Sequence, residues 1–115
     1  MERKDYNGWT NYETWLVNLW MDNDQMSQGY FAEMADEALE SATPTGNWTR
    51  EESARFMLAD RLKDHFENEY VELIGPPGMW SGLLGAALSE VNWDEIALHL
   101  MDEAVERKKE EVEAK

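Results

Sequence analysis

Apolar residues near the start of the chain recur with the spacing of one face of an α-helix. They stand at relative positions i, i+3, i+4, i+7 and i+8: Tyr12, Trp15, Leu16, Leu19 and Trp20. Thr10, with Glu13 three residues later, has the signature of a capping box, which predicts that a helix starts here. The stripe carries more large aromatic area than any other segment. We therefore predict that the other helices pack around this tryptophan-rich N-terminal helix.

Further helices follow from the same periodicity and from the turn residues between the apolar segments. The predicted ranges are 11–21, 25–41, 50–73 and 80–89, with a last helix that begins after Asn92. Thr49 and Glu52 form a second capping box at the start of the third helix. The fourth segment is apolar, and we expect it to be a buried helix.

The domain organisation is simple. We predict a single small all-α domain of four to five helices that covers residues 1–115. Residues 1–8 form a polar lead-in that ends in an Asn-Gly turn. Residues 107–115 are rich in Glu and Lys, and we expect this end of the last helix to fray into solvent.

The charge of the chain is the strongest indication of function. With 25 acidic and 10 basic residues, the formal net charge is -15 at pH 7, far beyond the magnitude of about 2–8 that suits a small domain. Such self-repulsion destabilises a compact fold, so the acidity calls for an explanation. It argues against nucleic acid and anionic membranes as direct partners, and it favours a basic protein surface or cations.

The composition also excludes several classes of protein. The chain contains no cysteine, which rules out disulfides, thiol nucleophiles and cysteine-ligated zinc. Its N-terminus has no apolar signal region, and no apolar run approaches the roughly 18 residues that a membrane helix needs. We therefore expect a protein of the reducing cytoplasm that does not enter a membrane.

The two histidines are the natural candidates for metal or catalytic chemistry. His65 has Glu69 four residues after it, and His99 has Glu95 before it and Glu103 after it at the same spacing. One helical turn brings such a pair to one metal ion, but acidic helices produce this spacing by chance. The sequence also lacks a glycine-rich phosphate loop. We predict no catalytic residue, no cofactor and no metal site.

Rows of acidic residues lie on the predicted outward faces of three helices. They are the candidate partner-binding residues: Glu33, Asp36, Glu37, Glu40, Asp60, Asp64, Glu67, Glu95, Asp102 and Glu106. Four residues of helix rise about 6 Å, so the rows place negative charge at regular intervals along rigid rods. Duplex DNA presents one negative charge per about 1.7 Å of its axis. The simpler alternative is a solvated, highly soluble surface.

Three predicted helix starts carry a tryptophan beside the cap: Trp9, Trp48 and Trp93. The simpler interpretation is that each ring covers a helix end and closes the core. The alternative is an exposed aromatic anchor for a partner, because Trp is enriched at interaction hot spots.

Two motifs give the chain a family resemblance. The first is NGWTNYETW at 7–15 with the LWMDN that follows it at 19–23, and the second is LSEVNWDEIA at 88–97. Both resemble a family of small, mostly uncharacterised proteins of phages, plasmids and prokaryotic genomes. The resemblance supplies no catalytic residues. It implies a mobile-element setting, in which small acidic proteins such as DNA-mimic anti-restriction and some anti-CRISPR proteins counter host defence.

These observations lead to one functional hypothesis and two alternatives. The chain is expected to be a non-enzymatic acidic inhibitor that binds a basic nucleic-acid-binding surface of a host-defence complex, in the cytoplasm of a prokaryotic host. The first alternative is an interaction or assembly module, a homodimer included, that uses an exposed tryptophan surface. The second is a cation-dependent enzyme that uses acidic residues and a histidine.

Overall fold

The computed structural model describes residues 6–113, and this part of the chain is a small all-α domain, as predicted. It contains five helices: α1 (Tyr12–Asn23), α2 (Gln25–Ser41), α3 (Arg50–Ile74), α4 (Met79–Ser89) and α5 (Trp93–Glu113). The predicted ranges agree with these bounds to within two residues at each compared end. Residues 1–5 of the predicted lead-in and residues 114–115 of the predicted frayed end lie outside the described residues.

The helix starts are set by side chains that accept backbone N–H groups. The predicted capping box at Thr49 is present, with Glu52 bonded to the Thr49 amide at 2.9 Å and the Thr49 hydroxyl accepting the Glu52 amide at 3.1 Å. The hydrogen bond from the Thr49 amide to the Glu52 carboxylate holds the pKa of Glu52 below its usual range. The predicted box at Thr10 is wrong, because α1 starts one residue later and Asn11 accepts the Thr14 amide at 2.9 Å.

The Asn-Gly turn ahead of α1 is confirmed. Asn7 and Gly8 both have positive φ, 51° and 95°, which a two-residue hairpin turn of the I′ type requires. Tyr6 and Trp9 flank the turn and exchange backbone hydrogen bonds of 3.3 and 2.8 Å. The turn thereby directs the Trp9 ring towards α5, where it lies edge-on to His99 with ring centroids 5.5 Å apart.

The core lies among α2, α3 and α5, each of which packs against the other two. Its fully covered residues come from one stripe of each helix: Ala35, Ala38, Ala54, Leu58, Leu62, Ile96 and Ala97. At one end of this core Phe66 stacks between Phe31 and Trp93, with centroid distances of 5.6 and 5.3 Å. The N-terminal helix is therefore not the element around which the domain is built.

Helix α1 lies beside this bundle and buries a line of mixed polarity: Thr14, Asn18 and Met21. The aromatic ends of the predicted stripe point outward, since Trp20 is 69% exposed and Tyr12 is 45% exposed. Apolar periodicity locates an apolar face, but it does not show whether that face meets the core. Here polar contacts between Thr14 and the start of α5 fix the orientation of α1 instead.

Helices α3 and α4 form a hairpin that extends beyond the bundle. The prediction that α4 is buried is wrong, because none of its residues is buried and Trp80 is 71% exposed. The hairpin makes the molecule long, with extents of 53 × 34 × 32 Å and a radius of gyration of 15.6 Å. A compact domain of this length has a radius of about 13 Å.

The last described residues belong to α5. The helix continues to Glu113, so residues 107–113 of the segment expected to fray are helical in the structure. Arg107 anchors it, because its guanidinium donates to the Ala32 carbonyl at 3.3 Å and to the Asp36 carboxylate at 2.8 Å. These contacts cross from α5 to α2, and sequence spacing gave no sign of them.

Candidate functional site

On the outward face of α2, three of the four predicted acidic residues make no ion pair within the described residues, although the Arg50 guanidinium donates to the Glu40 carbonyl at 3.3 Å. Glu33, Glu37 and Glu40 are all exposed, and no salt bridge within residues 6–113 reaches them. The sequence of α2 contains no basic residue. These three residues are called the α2 acidic face below. Asp36, the fourth predicted member, turns instead towards α5 and pairs with Arg107.

The α3 row is exposed but mixed with positive charge. Asp60, Asp64 and Glu67 all lie in solvent. Arg61 and Lys63 are exposed on the same stretch of the helix, so part of the local field of the carboxylates is offset. The α3 row therefore mixes both signs of charge along its own helix, whereas α2 contains no basic residue.

One residue of the α5 row helps to hold the fold together, and the other two lie in solvent. Glu95 accepts the backbone N–H of Thr10 at 3.0 Å, which ties the N-terminal turn to α5. Glu106 lies 3.7 Å from Lys109. Asp102 is exposed and lines an open cleft beneath Trp9.

The three rows do not form one surface. Each lies opposite the buried stripe of its own helix, and α2, α3 and α5 each contact the other two. Outward faces of three mutually packed helices point in different directions. A partner that docks on one side of the bundle thus meets one row, and the α2 acidic face is the row with no basic neighbour on its helix.

Acidic residues also occupy helix ends where they lower stability. The C-terminus of a helix carries partial negative charge and favours cations. In the helices as described, no last turn contains a basic residue. Asp22, Glu40 and Glu72 stand there instead in α1, α2 and α3. At the end of α2, however, the Arg50 guanidinium of α3 supplies positive charge, because it donates to the Leu39 and Glu40 carbonyls at 2.9 and 3.3 Å.

The histidines do not form a metal centre in the part of the chain that is described. His65 lies 3.8 Å from Glu69, and His99 lies 3.1 Å from Glu103. Within residues 6–113, no group of three or more His, Asp or Glu side chains is placed to hold a metal ion. Both imidazoles are packed against aromatic rings: His65 against Phe31 and Phe66, and His99 against Trp9.

The three cap-adjacent tryptophans have different environments. Trp93 belongs to the core, and Trp9 packs on the edge of the core. Trp48 is 49% exposed and lies edge-on to Phe56 at 4.9 Å. The most exposed tryptophans are Trp20 and Trp80, both of which the sequence pattern placed among the packed residues.

The two sequence motifs meet in space, although they lie near opposite ends of the chain. The Asn11 side chain donates to the Glu90 carbonyl at 2.6 Å, and the Thr14 hydroxyl accepts the Asn92 amide at 2.8 Å. The Glu95 carboxylate completes the junction through the Thr10 amide. The motif residues therefore join the start of α1 to the start of α5, and most of them serve the fold.

Thr14→Val tests this junction. Thr14 is fully buried, and its hydroxyl also donates to the Asn11 side chain at 2.6 Å. Valine keeps the shape but leaves the Asn92 amide without its acceptor. We expect unfolding free energy to fall by about 1–3 kcal/mol, measured by urea denaturation. The control is Ser53→Ala. It removes a long hydrogen bond of 3.5 Å between the Ser53 and Thr45 hydroxyls at the surface, and it should change the unfolding free energy by less than about 0.5 kcal/mol.

Comparison with known proteins places the chain in a family. Residues 2–114 match the family described as "Family of unknown function (DUF7249)", and the chain belongs to it. No curated protein and no solved structure matches the chain. In the described part of the chain, no helix is long and apolar enough to cross a membrane.

Proposed function

We propose that this protein is a non-enzymatic inhibitor that binds a basic, nucleic-acid-binding surface of a host-defence complex. Its class is that of the DNA mimics directed against CRISPR effectors or restriction enzymes. A phage or another mobile element carries it, and it acts in the cytoplasm of the prokaryotic host. The observation that carries the proposal is the α2 acidic face on a chain of net charge -15.

The geometry of α2 suits a cationic groove. Successive carboxylates of Glu33, Glu37 and Glu40 are separated by about one helical turn, or about 5–6 Å between neighbouring side chains. A helix holds this spacing rigidly, so the partner meets a preorganised row of charge and little ordering entropy is lost on binding. Arg107 and Arg50 fasten the same helix to α5 and α3, while the side chains of Glu33, Glu37 and Glu40 stay exposed to solvent.

The stability cost of these charges supports a role outside folding. The net charge of -15 repels itself and opposes a compact fold. No ion pair to Glu33, Glu37 or Glu40 offsets that repulsion within the described residues. Charges that destabilise the free protein gain a favourable term when lysine and arginine residues of a partner surround them.

The mechanism needs no chemistry on the inhibitor. The acidic row occupies the groove that otherwise neutralises phosphates, and DNA is then excluded by occupancy and by repulsion. Long-range attraction between the two opposite charges raises the association rate, and dissolved salt screens it over about 10 Å at 0.1 M.

Affinity capture tests the proposal. The immobilised full-length chain should retain a nucleic-acid-binding complex from lysates of prokaryotes with CRISPR and restriction systems, at about 0.05 M salt but not at about 0.5 M. The purified partner should then lose DNA cleavage when the chain is added. Partners that do not bind nucleic acid, or retention unchanged by salt, would refute the proposed function.

A further inference from the structure

Helix α4 carries an apolar face that is open to solvent. Its eleven residues include no charged side chain, in a chain of which 30% of residues are charged. Three of its large apolar side chains are mostly exposed: Met79 at 67%, Trp80 at 71% and Leu83 at 58%. These three residues are called the α4 apolar face below. Contiguous exposed apolar side chains with a polar rim mark interaction sites on soluble proteins.

The α4 apolar face points away from α3, the helix on which α4 packs. The Tyr70 hydroxyl of α3 donates to the Ser81 carbonyl, and a Cβ on Gly85 would lie 3.3 Å from the same hydroxyl. Leu83 is two residues from both Ser81 and Gly85, which is about 200° around the helix axis. Its side chain therefore lies on the far side of α4, where no other helix of residues 6–113 packs comparably.

The hairpin that carries this face is acidic. Between Lys63 and Arg107 the sequence contains no lysine and no arginine. The exposed carboxylates of the hairpin beside the face belong to Glu67, Glu69, Glu72 and Glu90. Among them, only Glu69 has an ion-pair partner within the described residues, the His65 imidazole at 3.8 Å. The C-terminus of α4 adds partial negative charge beside Glu90.

An apolar face with an acidic rim selects among apolar partners by charge, because like charges brought together oppose binding. A second copy of this chain, with its net charge of -15, is repelled. We propose that the α4 apolar face binds a cationic amphipathic helix of a partner protein. The apolar side of that helix covers Trp80 and Leu83, and its lysine and arginine residues meet the surrounding carboxylates. This proposal is independent of the inhibition proposed for α2, because it rests on different residues.

The dimensions of the face suit one short helix. Helix α4 is about 16 Å long, and Trp80 and Leu83 are about one turn apart. An amphipathic helix repeats its apolar residues at i, i+3, i+4 and i+7, so about two of its turns cover both side chains. Trp80 supplies the large aromatic contact that is typical of interaction hot spots. Glu90 follows α4 about 15 Å along the axis from Trp80, within reach of a basic residue near one end of the bound helix.

Titration with a designed peptide tests the proposal. The probe is a synthetic helix of about 18 residues with leucine at i, i+3, i+4 and i+7 and lysine on the remaining face. Its comparison peptide has the same composition in scrambled order, so it keeps the charge but has no apolar face. In isothermal titration at about 0.15 M salt, the full-length chain should bind the probe with a dissociation constant of about 1–50 μM. The scrambled peptide should bind at least about tenfold more weakly.

Two substitutions locate the binding on α4. Trp80→Ser and Leu83→Ser should each weaken binding of the probe by about tenfold or more. Helical circular dichroism should not change, because both side chains are already largely exposed; if one variant unfolds, the other provides the same test. Val112→Ser is the matched control. It alters a residue of α5 that is 66% exposed, and its dissociation constant should stay within about threefold of the wild type.

Replacing Glu33, Glu37 and Glu40 by Gln should leave binding of the probe within about fivefold of the wild type, because those carboxylates belong to the α2 acidic face. Equal binding of the scrambled peptide, or unchanged binding by both Trp80→Ser and Leu83→Ser, would mean that charge alone holds the probe, and would overturn the proposal. A wild-type dimer at about 0.1 mM protein that Leu83→Ser dissociates would also overturn it, as would attachment of the chain to zwitterionic phospholipid vesicles through Trp80. The experiment needs no captured host partner, so the two proposals can fail separately.

Discussion

Replacing Glu33, Glu37 and Glu40 together by Gln should weaken binding to the captured partner by about 100-fold at low salt. Each exposed carboxylate that meets a cation at about 4 Å contributes about 1 kcal/mol in water, and three such contacts correspond to roughly two orders of magnitude in affinity. The change is measured by isothermal titration with the purified partner at about 0.05 M salt. Inhibition of DNA cleavage should fall in parallel.

The same variant should not lose stability. All three side chains are exposed, so each substitution should change the unfolding free energy by less than about 0.5 kcal/mol. Loss of binding can then not be attributed to unfolding. A lower unfolding free energy for the variant would show that the α2 acidic face serves the fold.

The matched control removes the same number of charges elsewhere. Asp60→Asn, Asp64→Asn and Glu67→Gln together change the α3 row, which is exposed but lies beside Arg61 and Lys63. Their combination should weaken binding by less than about tenfold. Equal losses from the two triple variants would mean that net charge, and no particular face, determines binding.

Trp93→Ala should lower the unfolding free energy by about 3–5 kcal/mol, the largest effect on stability that we expect. Trp93 is 9% exposed and stacks on Phe66 with an interplanar angle of 16°, so its loss leaves a cavity where α3 meets the start of α5. Urea denaturation followed by circular dichroism measures the change. For a protein of this size such a loss is a large part of the total stability.

Trp20→Ala tests whether the aromatic stripe of α1 contributes to stability as the core does. Trp20 is 69% exposed and borders an open cleft beside His65 and Glu69, so the variant should cost less than about 1 kcal/mol. If Trp20→Ala destabilised the protein as much as Trp93→Ala, the domain would be organised around α1 after all.

The sequence predicted the helices well because their signals are local. The Thr49 capping box and the glycine and proline residues after Ile74 lie within a few residues of the boundaries they set. Burial is not local. Trp20 of α1 and Trp80 and Leu83 of α4 have the periodicity of buried faces, yet all three are exposed. Whether another helix covers such a face depends on the packing of the whole chain.

The candidate site was predictable only in part, for the same reason. Helical spacing identified Glu33, Glu37 and Glu40 as an outward row, and the structure exposes all three. The neighbouring Asp36 looked equivalent in sequence. Its partner Arg107 is 71 residues away along the chain, and helix periodicity carries no information about such a pair.

The contacts between the two sequence motifs were also not predictable from local spacing. Asn11 and Thr14 looked like ordinary residues of a helix start, and Asn92 looked like an ordinary cap. The hydrogen bond from the Asn92 amide to the Thr14 hydroxyl joins residues that are 78 positions apart in the chain. Motifs of this kind reveal a family before they reveal what the residues contact.

A competition experiment with the captured partner and labelled duplex DNA tests the central claim most directly. The free chain should displace the DNA at low salt. The concentration of chain that displaces half of the DNA should rise steeply with salt. This salt dependence should be much weaker for the variant in which Glu33, Glu37 and Glu40 are replaced by Gln. Simultaneous binding of chain and DNA to the partner, or displacement that persists unchanged at about 0.5 M salt, would contradict the claim that carboxylates on α2 occupy a groove built for phosphates.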